Sequence, residues 1–207
     1  MRDYDGKTAA ERTAERRQRL IDAGFELFGE HGYAGTSIRA VLRRAELRDR
    51  YFAESFPDLD SLLAAVYSQL IEEEITACRA AIDAESGSSD GGARAMIAAL
   101  VRSLEGDPGR ARIKLREAAA GGPVSRRRRQ DGLHKLAELV ASLLPPSKTR
   151  SAKDQLLLSV GMVAAADEWL TIWIDGEQNL TPRDVVNLVM TMFVALAEPD
   201  ATDATHD

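Results

Sequence analysis

The sequence predicts an all-α protein, with a three-helix unit at its N-terminus followed by a helical bundle, about nine helices in all. Apolar residues recur every three or four positions through most of the chain, which is the spacing of one helix face. No stretch of useful length alternates between apolar and polar residues as a strand does. Aromatic residues, which favour strands, make up 5% of the chain, whereas alanine and leucine are abundant.

The N-terminal unit is delimited by residues that end or begin helices. His31 and Gly32 are predicted to end the first helix, because glycine readily takes the positive φ of a helix C-cap. Thr36 or Ser37 is the predicted N-cap of the second helix, whose inner face carries apolar side chains. The three helices are predicted at about residues 12–30, 37–44 and 48–54.

The rest of the chain is predicted to be a series of longer helices. Phe56-Pro57-Asp58 ends the third helix, and Asp58 is the predicted N-cap of a fourth helix that runs to about Ala84. Residues 85–92, ESGSSDGG, are predicted to form a loop. Further helices are predicted at about residues 93–104, 110–119, 124–144, 153–174 and 181–197, the last with Thr181 as N-cap, Pro182 at its first position and Asp184 three residues after the cap.

Composition excludes several classes of protein. The single cysteine, Cys78, excludes an intrachain disulfide and a zinc site of paired cysteines. The first residues are too polar for a signal peptide, and no run of about eighteen apolar residues occurs. We therefore expect a soluble, cytoplasmic protein without a membrane partner or a cofactor. The net charge of −6 gives no global attraction to nucleic acid, so any DNA-binding surface must be a local patch.

Enzyme activity is not expected. The three histidines, His31, His134 and His206, are scattered along the chain, and Cys78 has no histidine near it in sequence. No HExxH sequence, glycine-rich phosphate loop or nucleophile elbow is present.

The second and third helices, joined by a turn of about four residues, form a helix-turn-helix pattern, in which the later helix enters the DNA major groove. Residues 1–60 carry 11 lysines and arginines against 12 aspartates and glutamates, so a basic patch requires segregation of charge to one face. The alternative for each arginine is an ordinary solvated helix face. The arginines that a DNA-binding face would use are Arg16, Arg17 and Arg19 on the first helix, Arg39, Arg43 and Arg44 on the second, and Arg48 and Arg50 on the third, where Tyr51 follows.

The segment GYAGTSIRAVLRRAELRDRYFAESFPDLDSLLAAVY, with LIDAGFELFGEHGY before it, resembles the DNA-binding region of the tetracycline-repressor (TetR) family of transcriptional regulators. The resemblance extends over about residues 14–70; the rest of the chain is similar only in length and helical character. It implies a helix-turn-helix DNA-binding domain at residues 1–57, a helical ligand-binding and dimerisation domain at 58–200, and a disordered tail at 201–207.

The resemblance also implies which residues contact a palindromic DNA operator. Residues 37–44 become the positioning helix and residues 48–55 the recognition helix. An arginine of the recognition helix would read a guanine in a bidentate manner, and Thr36 or Ser37 would donate to a phosphate. The implied DNA-binding residues are Thr36, Ser37, Arg39, Arg48, Arg50, Tyr51 and Ser55, above a small core of Phe25, Phe28, Ile38, Val41, Leu47, Phe52 and Phe56.

Four positions depart from the family's pattern. Glu46 stands in the turn where the family usually has glycine, and a left-handed backbone there costs about 1 kcal/mol for a residue with a side chain. Leu42 replaces a small alanine and needs extra room between the two helices. Ala53 and Leu59 replace a tyrosine and a lysine that contact the DNA backbone. Leu42, Glu46 and Ala53 support an alternative, a ligand- or partner-binding helical dimer whose helix-turn-helix is vestigial.

The C-terminal helices are predicted to bind a ligand and a second subunit. By the resemblance, the domain binds a small, mostly apolar ligand that releases a repressor from DNA, with Met96, Leu100, Met162, Trp169 and Trp173 as candidate lining residues; ordinary core positions are the alternative for each. The helices at about 153–174 and 181–197 are apolar on more than one face, so each must be buried on more than one side, either at the centre of its own domain or against a second subunit. The resemblance assigns them to a homodimer interface.

The densest basic run, Arg126 to Arg129, spreads around the circumference of its helix. We interpret these arginines as solvated or paired with carboxylates such as Glu117 and Asp131; a second nucleic-acid contact is the alternative.

Overall fold

The computed structural model of the chain describes residues 8–85 and 88–197, in which nine helices and no strand occur, confirming the all-α prediction. Helices α1 to α5 are Ala9–His31, Ile38–Arg44, Asp49–Ser55, Leu59–Asp83 and Ser89–Glu105. Helix α6 is composite, beginning as Pro108–Arg112, widening into a π-helical turn at Ile113–Glu117 and ending as Ala118–Ala120. Helices α7 to α9 are Pro123–Leu143, Ala152–Ile174 and Pro182–Ala197, and a 3₁₀ turn at Glu177–Asn179 precedes α9.

The chain divides into two compact units. Unit 1 consists of residues 1–70 and 107–129, and unit 2 of residues 71–106 and 130–207. This is a different division from the predicted domains 1–57 and 58–200, which stay a prediction. The predicted disordered tail, 201–207, lies outside the described residues.

Several helix boundaries follow from local caps that the sequence predicts. Gly32 ends α1 with φ +74°. Asp58 Oδ1 accepts a hydrogen bond from the Ser61 N–H at 2.7 Å, as expected of the N-cap of α4. At the start of α9 the Thr181 hydroxyl accepts from the Asp184 N–H at 3.2 Å, and the Asp184 carboxylate accepts from the Thr181 N–H at 2.9 Å. These two bonds form a capping box, which confirms that prediction.

Two segments differ from the prediction. Helix α5 begins at Ser89, inside the segment predicted to be a loop, because the hydroxyl of Ser88 caps it by accepting from the Gly91 N–H at 3.1 Å. A serine cap here outweighs the low helix propensity of two glycines. The helix predicted at 110–119 is the composite α6, which starts earlier because Asp107 caps it through the Arg110 N–H at 2.9 Å.

The core beneath the helix-turn-helix forms from α1, α2, α3 and the start of α4. Helices α1 and α4 approach closely at Gly24, where an added Cβ would lie 3.2 Å from side-chain atoms of Leu62 and Val66. Of the predicted core residues, Phe25 and Leu47 are half-buried, and Ile38 is 38% exposed. The prediction for Ile38 was wrong because it is the first residue of a two-turn helix, where fewer neighbours surround a side chain. The fully buried members are Phe28, Val41, Phe52 and Phe56.

Helix α6 packs directly on α1 within unit 1. A Cβ on Gly29 would lie 2.9 Å from the Cα of Gly109, so two glycines let the backbones meet without an intervening side chain. The buried Glu117 accepts from the Tyr33 N–H at 2.7 Å and from Arg112 Nε at 2.9 Å. These bonds fix the turn between α1 and α2, on which the position of the helix-turn-helix depends.

Asp60 of α4 holds the N-terminus of α7. Its carboxylate is 7% exposed and accepts from the backbone N–H groups of Gly122, Val124 and Ser125 at 2.9, 2.8 and 3.2 Å. Burial acts to raise the pKa of Asp60, but the hydrogen bonds from Ser125, Val124 and Gly122 outweigh it and hold the pKa below its ordinary value. The carboxylate therefore stays ionised and satisfies donors that a helix N-terminus leaves open.

In unit 2, α9 packs against α5 and α8. The guanidinium of Arg150 donates to the Leu196 carbonyl at 2.9 Å and so satisfies one of the open carbonyls at the end of α9. The buried face of α8 includes Met162 and Leu170, and that of α9 consists of Val185, Val189, Met190 and Phe193.

Candidate nucleic-acid interface

The helix-turn-helix is formed by α2, a four-residue turn and α3. The Ser37 hydroxyl caps α2 by accepting from the Ala40 N–H at 3.2 Å. In the turn, the Leu47 N–H donates to the Leu42 carbonyl at 2.9 Å, and Glu46 has φ +52°. The left-handed conformation that the resemblance implied for Glu46 is therefore present. Leu42 is buried, so the larger side chain is accommodated.

Thr36 and Ser37 have different roles. The buried Thr36 hydroxyl donates to the Gly32 carbonyl at 2.7 Å and thereby ties the turn before α2 to the end of α1. Ser37 is exposed and is the N-cap residue. Of the two residues predicted to contact a phosphate, Ser37 is the accessible one.

Two of the arginines on the unit are used to hold its helices together. Arg44, on α2, pairs with Glu26 and Glu30 of α1, and these hydrogen bonds raise the pKa of its guanidinium. Arg19, on α1, donates to the Ala45 carbonyl at the end of α2. Both were predicted as possible DNA contacts, and both are engaged within the protein.

Arg16 and Arg17, also on α1, lie against aromatic rings. The guanidinium carbon of Arg16 is 4.6 Å from the ring centroid of Tyr51, and that of Arg17 is 4.9 Å from the ring centroid of Phe56. Such distances are those of cation–π contacts. The two arginines therefore hold both ends of α3 against α1.

A second set of arginines is exposed, and their side chains are not used to hold the described helices together. Arg39 and Arg43 lie one turn apart on the same face of α2, and Arg48 precedes the first residue of α3. None of the three side chains makes a hydrogen bond or ion pair with the described residues. Arg43 is not among the DNA-binding residues that the resemblance implies, although it lies four residues after Arg39.

The start of α3 presents Arg50 and Tyr51 together. Arg50 is exposed, and its Nη2 donates to the Tyr51 hydroxyl at 2.7 Å. This bond lowers the pKa of Tyr51 and raises that of Arg50. Ser55 is half-buried at the end of the helix, whereas Ala53, where the family has a tyrosine, is exposed. The cationic and phenolic donors of α3 thus lie at its first turn, whereas the exposed polar residue of its last turn is the acidic Glu54.

The predicted ligand-lining residues all lie in unit 2. Met96 and Met162 are buried, whereas Leu100, Trp169 and Trp173 are half-buried. None of the five lines the open groove of about 560 Å³ that the structure shows in unit 2. Their role in ligand binding stays a prediction. The residues that line this groove are Glu72, Ile75, Thr76, Arg79, Lys135, Glu138, Leu139 and Ser142.

Helices α8 and α9 leave apolar side chains exposed. Leu157 is 56% exposed, and an added Cβ on Gly161, one turn later, would meet nothing within 4 Å. Among the described residues, α8 is the one helix long and apolar enough to cross a membrane, with 22% of its most apolar window buried. A single such helix is weak support for a membrane span. The other large apolar side chains exposed on these helices are Leu158, Ile174, Leu188 and Val194.

The basic run on α7 is used in part within unit 1. Arg126 donates to the Gly121 carbonyl. Glu117, a predicted partner of the run, pairs with Arg112 instead.

Among the described residues, no group of three or more histidine, cysteine, aspartate or glutamate side chains is placed to hold a metal ion.

Residues 20–66 match the sequence model described as bacterial regulatory proteins, tetR family. No curated protein matches the chain. Among solved structures, a TetR-family regulator from Pectobacterium atrosepticum is 23% identical (TM-score 0.66; 93% of this chain and 100% of that chain). FadR from Bacillus subtilis, in complex with stearoyl-CoA, is 18% identical (TM-score 0.68; 87% and 97%). A TetR-like regulator from Rhodococcus sp. RHA1 is 20% identical (TM-score 0.64; 86% and 93%).

These similarities agree with the geometry of unit 1, in which a capped two-turn helix, a left-handed turn and a second short helix form a helix-turn-helix. Proteins of this family are DNA-binding transcription factors and not enzymes. The chain therefore carries the N-terminal domain of the tetR family of bacterial regulatory proteins, on the fold of the TetR-like transcriptional regulators.

Proposed function

We propose that this protein is a sequence-specific transcriptional repressor that binds a palindromic DNA site as a homodimer and is released by a small, mostly apolar ligand. The observation that carries the DNA-binding part is the separation of the arginines into two sets. Arg19 and Arg44 form hydrogen bonds or ion pairs between helices. Arg39, Arg43 and Arg48 are exposed, and their side chains bind no other side chain or backbone group among the described residues. A charge that does not stabilise the fold is available to a phosphate.

The proposed contacts follow from where these side chains lie. Arg39 and Arg43 on α2, with the exposed Ser37, would bind the phosphates beside the major groove. Arg48, Arg50 and Tyr51 would enter the groove with the first turn of α3, where an arginine fork matches the N7 and O6 atoms of guanine. Thr36, whose hydroxyl is bound within the fold, would support this surface rather than contact DNA through its side chain.

Dimerisation through α8 and α9 is the second part of the proposal. Exposed leucine and isoleucine side chains on α8, and exposed leucine and valine side chains on α9, favour burial against another protein surface. A second copy of the same chain would cover this face by two-fold symmetry. The dimer would present two copies of α3 to successive major-groove faces, which is why the operator should be a palindrome.

The ligand would bind in unit 2. Met96, Leu100, Met162, Trp169 and Trp173 remain the proposed lining residues, since adaptable thioether and aromatic side chains suit an apolar ligand. FadR from Bacillus subtilis, which has a similar fold, binds stearoyl-CoA, a ligand with a long apolar chain. Acyl-CoA thioesters and fatty acids are therefore the first compounds to test. Ligand binding would change the separation or orientation of the two DNA-binding domains of the dimer. We expect the protein to act in the cytoplasm.

A helical dimer with a vestigial helix-turn-helix is the second candidate. Ala53 favours it, because an exposed alanine provides no phosphate contact where the family has a tyrosine. Leu42 and Glu46 no longer support it, because the first is buried and the second takes the conformation that the turn requires.

The experiment that separates the candidates is selection of bound sequences from random duplex DNA by the purified protein. Enrichment of one palindrome supports a sequence-specific reader. A folded dimer that enriches no sequence would refute the repressor and favour the vestigial domain. Repeating the selection after extraction of bound lipids excludes a protein held off DNA by a co-purified ligand.

A further inference from the structure

Arg16 is held in a fixed position between α1 and α3. Its Nη2 donates to the Thr13 hydroxyl at 3.0 Å and lies 3.9 Å from the Glu54 carboxylate. The guanidinium lies over the ring of Tyr51, and the side chain is 25% exposed. Because three-quarters of this side chain is covered, its contacts are mainly with the protein rather than with the surroundings.

Tyr51 in turn constrains Arg50. The phenol oxygen accepts from Arg50 Nη2 at 2.7 Å, and the Arg50 guanidinium carbon lies 4.7 Å from the ring centroid. The pKa of Tyr51 is lowered, first by the hydrogen bond from Arg50 and further by the charges of Arg50 and Arg16. The three side chains therefore form one continuous set of contacts, which we call the Arg16–Tyr51–Arg50 chain.

The neighbouring Arg17 makes a similar contact without this consequence. It lies over Phe56, a buried ring at the end of α3 that carries no hydrogen-bonding group. Arg17 and Arg16 thus share helix, charge and type of contact. They differ in the ring that they contact: the Tyr51 ring under Arg16 also binds the exposed Arg50, whereas the Phe56 ring under Arg17 binds no second arginine in this way.

We infer that Arg16 is a positioning residue for DNA reading: it fixes the Tyr51 ring, which orients the Arg50 guanidinium toward one base pair of the operator. The inference rests on the proposed DNA-binding function. An unconstrained arginine loses side-chain entropy when it binds a base, and a guanidinium that is already oriented loses less. Arg16 therefore affects discrimination between sequences without itself touching a base.

The test compares Arg16→Ala, Arg16→Lys and the matched control Arg17→Ala on the selected operator and on the same site with single base-pair changes. Arg16→Ala should reduce discrimination at one base pair per half-site by about two- to fivefold, the lower end of the range for cation–π contacts. Arg16→Lys should retain only part of this discrimination, because the lysine ammonium is not planar and does not stack on a ring as a guanidinium does. Arg17→Ala should leave discrimination between base pairs unchanged, because a phosphate contact or the packing of α3 on α1 affects every sequence alike.

Tyr51→Phe tests the middle residue of the Arg16–Tyr51–Arg50 chain, since it keeps the ring that Arg16 contacts and removes the hydroxyl that binds Arg50. It should lose discrimination at the same base pair, and Arg16→Ala/Tyr51→Phe should lose little more than either single variant. In the protein without DNA, ¹⁵N relaxation of Arg50 Nε should show greater mobility in Arg16→Ala than in the wild type. Thermal unfolding checks that each variant is folded.

A direct phosphate contact by Arg16 would give a different result. Affinity would then fall by the same factor for every sequence, the salt dependence would weaken by about one ion per contact, and Arg50 mobility would not change. That result overturns the inference and leaves the proposed function intact. If the wild type enriches no sequence, the proposed function fails, and the inference about base reading fails with it. The relaxation measurement tests the positioning contact separately: unchanged Arg50 mobility in Arg16→Ala would refute that contact.

Discussion

The carboxylate of Glu46 lies 3.6 Å from the guanidinium of Arg19, at a position of the helix-turn-helix where the backbone has φ +52°. A left-handed residue with a side chain costs about 1–2 kcal/mol. The same Arg19 donates to the carbonyl of Ala45, the residue before Glu46. Arg19 therefore binds the turn at two adjacent residues and offsets part of the cost of placing glutamate there.

Replacing Glu46 with glycine should stabilise the protein. Glycine removes the left-handed cost, whereas the exposed ion pair that is lost contributes little, so we expect a gain of about 0.5–1 kcal/mol. Urea unfolding measures this difference. Glu46→Gln keeps the strained backbone and removes the charge, and should lie within about 0.5 kcal/mol of the wild type. A loss of stability in Glu46→Gly would show that the ion pair dominates.

Asp60→Asn should destabilise the protein by about 1–3 kcal/mol at neutral pH, because the backbone donors at the start of α7 lose a charged acceptor. Asp58→Asn is the control, since asparagine and aspartate cap an exposed helix about equally well. Unfolding in urea measures both. Equal effects of the two substitutions would contradict the role of Asp60.

The contribution of Asp60 should also depend on pH. Its pKa in the folded protein lies below the ordinary value of 3.8, so the folded state favours the ionised form. The stabilisation is present above pH 3.8 and is lost as the pH falls through the folded pKa. The difference in unfolding free energy between the wild type and Asp60→Asn should therefore shrink below pH 3.8 and stay constant between pH 5 and 7.

Gly161→Leu tests the proposed dimer. In the single chain an added side chain at Gly161 meets open space, so the protomer should fold normally. In a symmetric dimer the leucine would be inserted twice into a packed interface, which costs about 1–3 kcal/mol at each site. Sedimentation should show a monomer. Val124→Glu, a change at an exposed apolar residue of unit 1, should remain dimeric. A dimeric Gly161→Leu would place the interface elsewhere.

Ligand binding can be followed through Trp169 and Trp173, the two tryptophans of the chain. Titration with stearoyl-CoA or stearic acid should change the tryptophan emission saturably, and the ligand should release operator DNA. Met162→Glu, which places a charge among the proposed apolar lining residues, should weaken binding at least tenfold. Saturable emission without release of DNA would separate ligand binding from regulation.

Local sequence patterns were sufficient to predict much of this fold. Helix ends at Gly32, Asp58 and Thr181 depend on side chains within four residues of the cap, so their patterns are visible in the sequence. The left-handed turn at Glu46 could be expected because the similar family has glycine there. Each of these features is determined by neighbours along the chain.

The assignment of the arginines could not be predicted in the same way. Arg43 and Arg44 are adjacent, and Arg44 is distinguished by Glu26 and Glu30, which lie on another helix. Asp60 likewise caps a helix that begins more than 60 residues later along the chain. Such long-range contacts depend on how helices pack, and spacing along one helix does not reveal them.

The most direct test of the central claim measures the salt dependence of binding to duplex DNA for wild type, Arg43→Ala and Arg44→Ala. These substitutions remove the same charge from adjacent positions of α2, so the net charge of both variants is equal. If Arg43 contacts a phosphate, Arg43→Ala should weaken binding and reduce the salt slope by about one ion per protomer, whereas Arg44→Ala should keep the slope and lose thermal stability. Equal slopes for Arg43→Ala and the wild type would contradict the account.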